Sequence, residues 1–325
     1  MSKPIAAPAA LSDEWKAVFA KLKSETQFFV SKTIKTQSFK DAVESIEATH
    51  DMSGTLASGM ILSGEPGVGK SAILDTYVSS YLASCENLET DELTRVPIIK
   101  ISIPSKPTIN SLIVEMLEAV GHSNLSGTQS ALNMRLREFI RSQGVELLVF
   151  DEFQHLLREQ AQTSTRNVLN YIKTLMDDTK VAVVMAGIPE GRKAIEAYDE
   201  LFQRMTFEQA EIKPYNLRLK ASCSEFVEFM HTIELILADA GVKIISLTNK
   251  TMLQRVWLAS NGRIRLIERL IAKVLEKTDL TKTVNISDFE RIYQRNKMNP
   301  KLGDTFNPFS VNDKAKLQEK AGWYK

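Results

Sequence analysis

The chain has 325 residues, 43% of them apolar and 25% charged, with a formal net charge of +1. That length suffices for one large domain and a smaller one, and the near-neutral balance excludes a globally basic nucleic-acid binder, though not a local basic strip. Two cysteines in unrelated contexts, Cys85 and Cys223, and four scattered histidines exclude a disulfide framework and a zinc cluster, which suits a reducing cytoplasm.

Residues 1–10 read as a flexible leader without a signal-peptide pattern. Leu11, Trp15, Val18, Phe19 and Leu22 then repeat at helical spacing, with Ser12 as the expected N-cap and Asp13 and Glu14 in the first turn. No apolar run approaches the roughly 18–20 residues that a membrane helix needs.

From about residue 59 the pattern changes. MILS (60–63), VPIIKISI (96–103), ELLVF (146–150) and VAVVMAG (181–187) are near-continuous apolar runs separated by helical stretches. Such strands belong to a parallel sheet covered by helices on both faces. One intervening helix, STRNVLNYIKTLMDD, aligns Val168, Leu169, Ile172, Leu175 and Met176. The fold class is therefore α/β, doubly wound.

The first strand runs into GEPGVGKS, which fits G-x-x-x-x-G-K-[ST] with Gly64, Gly69, Lys70 and Ser71. Backbone N–H groups of such a loop surround phosphate oxygens at a helix N-terminus. The expected ATP contacts are Gly64, Glu65, Pro66, Gly67, Val68, Gly69, Lys70, Ser71 and Ala72. Lys70 would reach the β- and γ-phosphates, and the Ser71 hydroxyl would ligate Mg²⁺. The third strand ends in Asp151 and Glu152. Two carboxylates at the end of a buried strand need a cation, a water or a cleft. Here Asp151 would hold Mg²⁺ through water and Glu152 would polarise the attacking water. No guanine-reading NKxD string lies in a suitable place, so the base is expected to be adenine.

After Pro214 the strand pattern stops. Helices follow, with capping boxes read at Ser222–Glu225 and Ser287–Glu290. The last stretch holds Asn-Pro and Gly-Asp turn signals and the aromatic strings FNPF and GWYK, and reads as an extended tail. The expected domains are 1–48 (leader and amphipathic helix), 49–214 (nucleotide binding), 215–297 (helical lid) and 298–325 (tail).

A P-loop sheet followed by a small helical domain resembles the AAA+ ATPases. In that family an arginine just before the last strand, expected here at 205–212, reaches into a neighbouring subunit's site, and Arg204 stands in that place. Its competing role is a surface ion pair with Glu200. Gly262-x-x-Arg265 resembles the second sensor, the competing reading being a solvated basic face of Arg265, Arg269 and Lys273. The strand VAVVMAG ends in Gly187 and Ile188, where a polar water-positioning residue is expected, and slow hydrolysis follows as an expectation.

Four strings, GEPGVGKS, IPSKPT (103–108), VELLVFDEFQHLL (145–157) and AGIPEG (186–191), resemble the TniB/TnsC-type AAA+ regulators of DNA transposition over residues 40–297. FQHLL after the acidic pair is the most diagnostic of them. The resemblance implies a bacterial cytoplasmic ATPase that assembles with ATP as a hexameric or heptameric ring, or a helical filament, on double-stranded DNA. It also implies a TniQ-type targeting factor, in some transposons a guide-RNA complex, and a transposase as partners. The C-terminal tail is the expected contact for the transposase or an associated endonuclease. Lys106, between Pro104 and Pro107, and Thr108 would touch phosphate, several subunits summing weak contacts. A second basic cluster, Arg135, Arg137 and Arg141, reads as a solvated helix face. The alternatives are a helicase-loading or replication-initiating ATPase, which would share every nucleotide residue, and a STAND signalling ATPase, which would need repeat sensors.

Overall fold

The computed structural model describes residues 13–85, 95–157, 162–303, 305–311 and 314–324. The chain divides into two compact units: residues 38–213, and residues 1–37 together with 214–325.

The first unit is an α/β sandwich around five strands, β1 (Gly59–Gly64), β2 (Ile98–Ser102), β3 (Leu147–Asp151), β4 (Ala182–Gly187) and β5 (Glu208–Ile212). They lie in the order β2-β3-β4-β1-β5, and every neighbouring pair is parallel. Alternate residues face opposite layers. Met60, Leu62, Val149 and Val184 join one core with Phe39, Ile46, Ile73 and Leu74, which lie on α3 (Gln37–His50) and α4 (Lys70–Ser84). Ile61, Leu148, Phe150 and Val183 join the other, with α5 (Ile109–Ala119), α6 (Gln129–Ser142) and α7 (Gln162–Thr179). This two-sided burial is why β1, β3 and β4 read as unbroken apolar runs. The five α7 residues expected to align are all buried. Fully burying each such side chain contributes about 1.5–3 kcal/mol.

The second unit is helical. It holds α1 (Asp13–Phe19) and α2 (Ser24–Val30), and, beyond α8 (Pro189–Glu196) and α9 (Asp199–Phe202) of the first unit, α10 (Lys220–Asp239), α11 (Lys250–Ser260), α12 (Ile264–Lys277), α13 (Ile286–Arg295) and α14 (Lys314–Ala321). The expected boundary at residue 48 differs from the observed one. α3 packs on the sheet, whereas Phe29 of α2 enters the helical core. Lys23 explains the attachment: its ammonium donates to the carbonyls of Leu275 and Thr278, at 3.1 and 2.6 Å, at the C-terminal end of α12. A cation there meets carbonyls that have no partner inside the helix. On α1, Phe19 is buried, but Val18, expected on the same apolar face, is 49% exposed. Leu11, Ser12 and residues 1–10 lie outside the described residues.

The C-terminal segment is not an extended tail. Phe309, Leu317 and Ala321 are buried in the helical core, and Phe309 stacks on Phe289 with ring centroids 5.3 Å apart. The buried Arg255 guanidinium donates to the carbonyls of Pro308, Phe309 and Val311, each at 2.7 Å. Trp323 and Tyr324 are only partly buried, with Lys250 over the Trp323 ring at 5.0 Å. The aromatics read as lacking a core thus have one. Two caps also shift. Ser222 accepts the Asn216 N–H at 2.8 Å while α10 begins at Lys220. Asn285, with Asp288, caps α13 in place of Ser287. No helix among the described residues is long and apolar enough to cross a membrane.

Candidate nucleotide-binding site

The site is built where β1, β3 and β4 end. β1 stops at Gly64, packed so closely on β5 that a Cβ would come 2.5 Å from the Ile212 carbonyl oxygen. The chain then turns through Gly67 and Gly69 at φ 84° and 104° before α4 opens at Lys70. That left-handed backbone favours glycine, and nothing stands within 4 Å of where a Gly69 Cβ would be. The Lys70 ammonium bends over its own loop, donating to the Gly64 and Glu65 carbonyls at 2.7 and 3.1 Å.

The Ser71 hydroxyl donates to Asp151 Oδ2 at 2.9 Å, joining the start of α4 to the end of β3. Asp151 is 5% exposed, and its Oδ1 accepts the Glu152 N–H at 2.8 Å. A hydroxyl and a carboxylate in contact are the hard oxygen donors that Mg²⁺ takes, and the glycine turn suits a polyphosphate, so these residues fit a magnesium nucleotide. Among the described residues no group of three or more His, Cys, Asp or Glu could hold another metal ion.

Glu152 is exposed and holds φ at 58°, uncommon for a non-glycine residue. Residues Phe153–Leu157 form a 3₁₀ turn. In it Gln154 donates through Nε2 to Glu152 Oε2 and accepts the Ile188 N–H at 3.2 Å. His155 Nδ1 donates to the Ile103 carbonyl at 2.7 Å. Neither residue was singled out by the sequence pattern, although both lie in its most diagnostic string.

The other expected residues are dispersed. Arg204 lies between α9 and β5, and its ion-pair partner is Asp177 of α7. Glu200 pairs with Lys173 and gives Arg204 only its backbone carbonyl. Arg265 is exposed in the first turn of α12 within the helical unit. Its motif glycine, Gly262, sits at φ 70°, where a Cβ would come 2.2 Å from the Tyr215 carbonyl oxygen. One turn beyond Arg265, burial pushes the Glu268 carboxyl up to about 7, with the arginine's charge opposing. Lys106 is exposed beyond β2, one of the two edge strands. Thr108 acts locally as the cap of α5, its hydroxyl accepting the Ser111 N–H at 3.0 Å. Arg135 and Arg137 are also engaged, with the Asn124 and Ser126 carbonyls and with Asp178.

Residues 28–217 match the family model described as Bacterial TniB protein. A search of curated proteins finds no match. Among solved structures, Drosophila ORC bound to DNA superposes with a TM-score of 0.57 at 15% identity, covering 90% of this chain and 70% of that one. The Aeropyrum pernix ORC2 protein in its ADPNP–ADP complexes gives 0.55 at 12% identity, covering 77% and 66%. Cdc6p from Pyrobaculum aerophilum gives 0.55 at 13%, covering 82% and 70%. At such identities the likeness is one of fold, and the fold is that of an AAA+ P-loop ATPase.

Proposed function

The chain belongs to the TniB family, more than half of it lying inside the family match, and on that premise we propose an ATP-dependent regulator of DNA transposition. It oligomerises on double-stranded target DNA, as a ring or a helical filament, and links a TniQ-type targeting factor to a transposase. The observation that supports the ATPase reading best is the Ser71–Asp151 contact at 2.9 Å, which brings the P-loop helix and the acidic strand end together beside Glu152.

In this reading residues 64–72 hold the triphosphate, with Lys70 leaving the loop carbonyls for phosphate. Bound Mg²⁺ would supply charge neutralisation on the phosphates, and Ser71 and Asp151 are the residues to hold it. Glu152 orients the water and accepts its proton. Arg204 completes a neighbouring subunit's pocket and Arg265 senses the nucleotide from the helical unit. With no side-chain polar group from Gly187 or Ile188 to meet the water directly, turnover is slow, below roughly 10 s⁻¹, a typical enzyme median. Hydrolysis then serves as an assembly switch. Lys106 touches phosphate from the loop after β2, each contact weak and the sum over subunits sufficient.

The fold likeness to ORC and Cdc6 structures favours a second reading, a replication-initiator ATPase. Electron microscopy with duplex DNA and calorimetry test the first. ATP, and not ADP, is expected to yield rings or filaments on duplex. Lys70→Ala is expected to weaken ATP binding on the order of 100-fold, the worth of charge-assisted bonds to two phosphates. Equal binding by that variant, or a monomer indifferent to nucleotide and DNA, overturns the reading.

A further inference from the structure

β4 delivers no side-chain polar group to the hydrolysis site, because Gly187 closes it and Ile188 follows. The amide of Gln154 occupies the end of that strand instead. Its Oε1 accepts the Ile188 N–H at 3.2 Å and its Nε2 donates to Glu152 Oε2. A carboxylate only accepts and a backbone N–H only donates, so the amide satisfies both partners in one orientation. The segment carrying it is fixed as well. Phe153, fully buried, is wedged where a Cβ on Gly187 would come within 2.8 Å of its ring and one on Gly191 within 2.3 Å. The same Gly187 Cβ would lie 2.5 Å from Gln154 Oε1, so the strand end is bare because the amide and the ring need the room. His155 ties the following residue to Ile103.

We propose that Gln154 is the positioning residue for Glu152, supplied from the turn after β3 in place of a polar side chain on β4. This rests on the ATPase reading above. The amide grips Glu152 Oε2 and leaves Glu152 Oε1 to the water. Being neutral, it does not quench the carboxylate as a lysine or arginine would. It acts through Glu152 and not on the water, which agrees with slow turnover.

The test uses the full chain with ATP and duplex DNA, comparing Gln154→Met, which keeps length and packing, with Gln154→Glu and Glu152→Gln. Glu152→Gln is expected to abolish turnover. Gln154→Met is expected to lower kcat at least about ten-fold, within the span of a positioned general base, with KM, calorimetric Kd for ATP and Tm essentially unchanged. Gln154→Glu is expected to be at least as slow, since it sets a second negative charge against Glu152. If Gln154→Met keeps kcat within two-fold while Glu152→Gln is dead, the proposal alone is overturned. A parallel loss of ATP affinity and Tm also overturns it, marking a structural prop. Wild-type turnover in Glu152→Gln removes the functional reading and the proposal together.

Discussion

Arg204 grips Asp177 at two points, Nε to Oδ1 at 2.7 Å and Nη2 to Oδ2 at 2.9 Å. The arginine proposed for a neighbouring pocket is thus held by its own chain, on the flank of α7. Both partners are about a quarter to a third exposed, so the pair adds no more than about 1 kcal/mol to stability. Asp177→Asn should leave Tm nearly unchanged. Arg204→Ala should bind ATP normally yet lose turnover on DNA by at least about 100-fold, below the usual range for a trans arginine. Mixing it with Glu152→Gln subunits should restore turnover, because one supplies an intact pocket and the other the arginine. No recovery in mixtures would remove the trans role.

The bare end of β4 makes a second prediction. A methyl on Gly187 would meet both Phe153 and Gln154. Overpacking of this kind costs typically about 1–3 kcal/mol. Gly187→Ala should lower the urea midpoint accordingly, and adding Phe153→Leu should recover part of the loss. Additive losses in the double variant would mean that the ring and the glycine do not share space.

The parts legible in the sequence follow from local rules. The apolar runs announced a two-sided parallel sheet because every residue of β1, β3 and β4 is buried, whichever face it takes. The glycine turn before α4 and the strand ending at Asp151 were legible because each follows from particular residue types at fixed spacing. Gln154 was not, since a glutamine two places after an acid is unremarkable until folding brings Ile188 beside it. The C-terminal segment misled for another reason. Turn signals dominate residues 299–308, and only tertiary contact, with the Phe289 ring and the Arg255 guanidinium, seats Phe309 in the core. The cap displaced from Ser222 reflects a serine serving the preceding turn, where its hydroxyl accepts from Asn216.

That segment can be tested by its packing. Leu317 is fully buried, so Leu317→Ala should cost about 2–5 kcal/mol. Deleting residues 300–325 should do more than remove a docking peptide. It strips three carbonyls from the buried Arg255 and opens the helical core, so the cooperative melting of that unit should be lost in calorimetry. An unchanged transition after the deletion would contradict the observed packing.

Acid should weaken the α/β unit through His50. This ring is 4% exposed, bonded through Nδ1 to the Tyr77 hydroxyl at 2.7 Å and 3.4 Å from Glu146. Burial holds its pKa below the ordinary 6.5, against the charges of Glu146 and Asp51. The unfolded chain takes up a proton near 6.5, while the native state resists until lower pH. Stability from this group is therefore complete above about pH 6.5 and declines as pH falls towards the native value. Melting curves between pH 7.5 and 5.5 should show a smaller acid-side drop in His50→Gln than in the parent. Equal slopes would exclude His50 as the group responsible.

Because the helical core draws Phe29 from before the sheet and Leu317 and Ala321 from after it, it cannot close until residue 321 has been made. The stretch 38–213, contiguous and with cores of its own, meets no such delay. Emerging from the ribosome, the sheet can be assembled while α2 still waits for its partners, and a stop ahead of residue 314 would leave a finished α/β scaffold and an open, apolar-lined helical bundle.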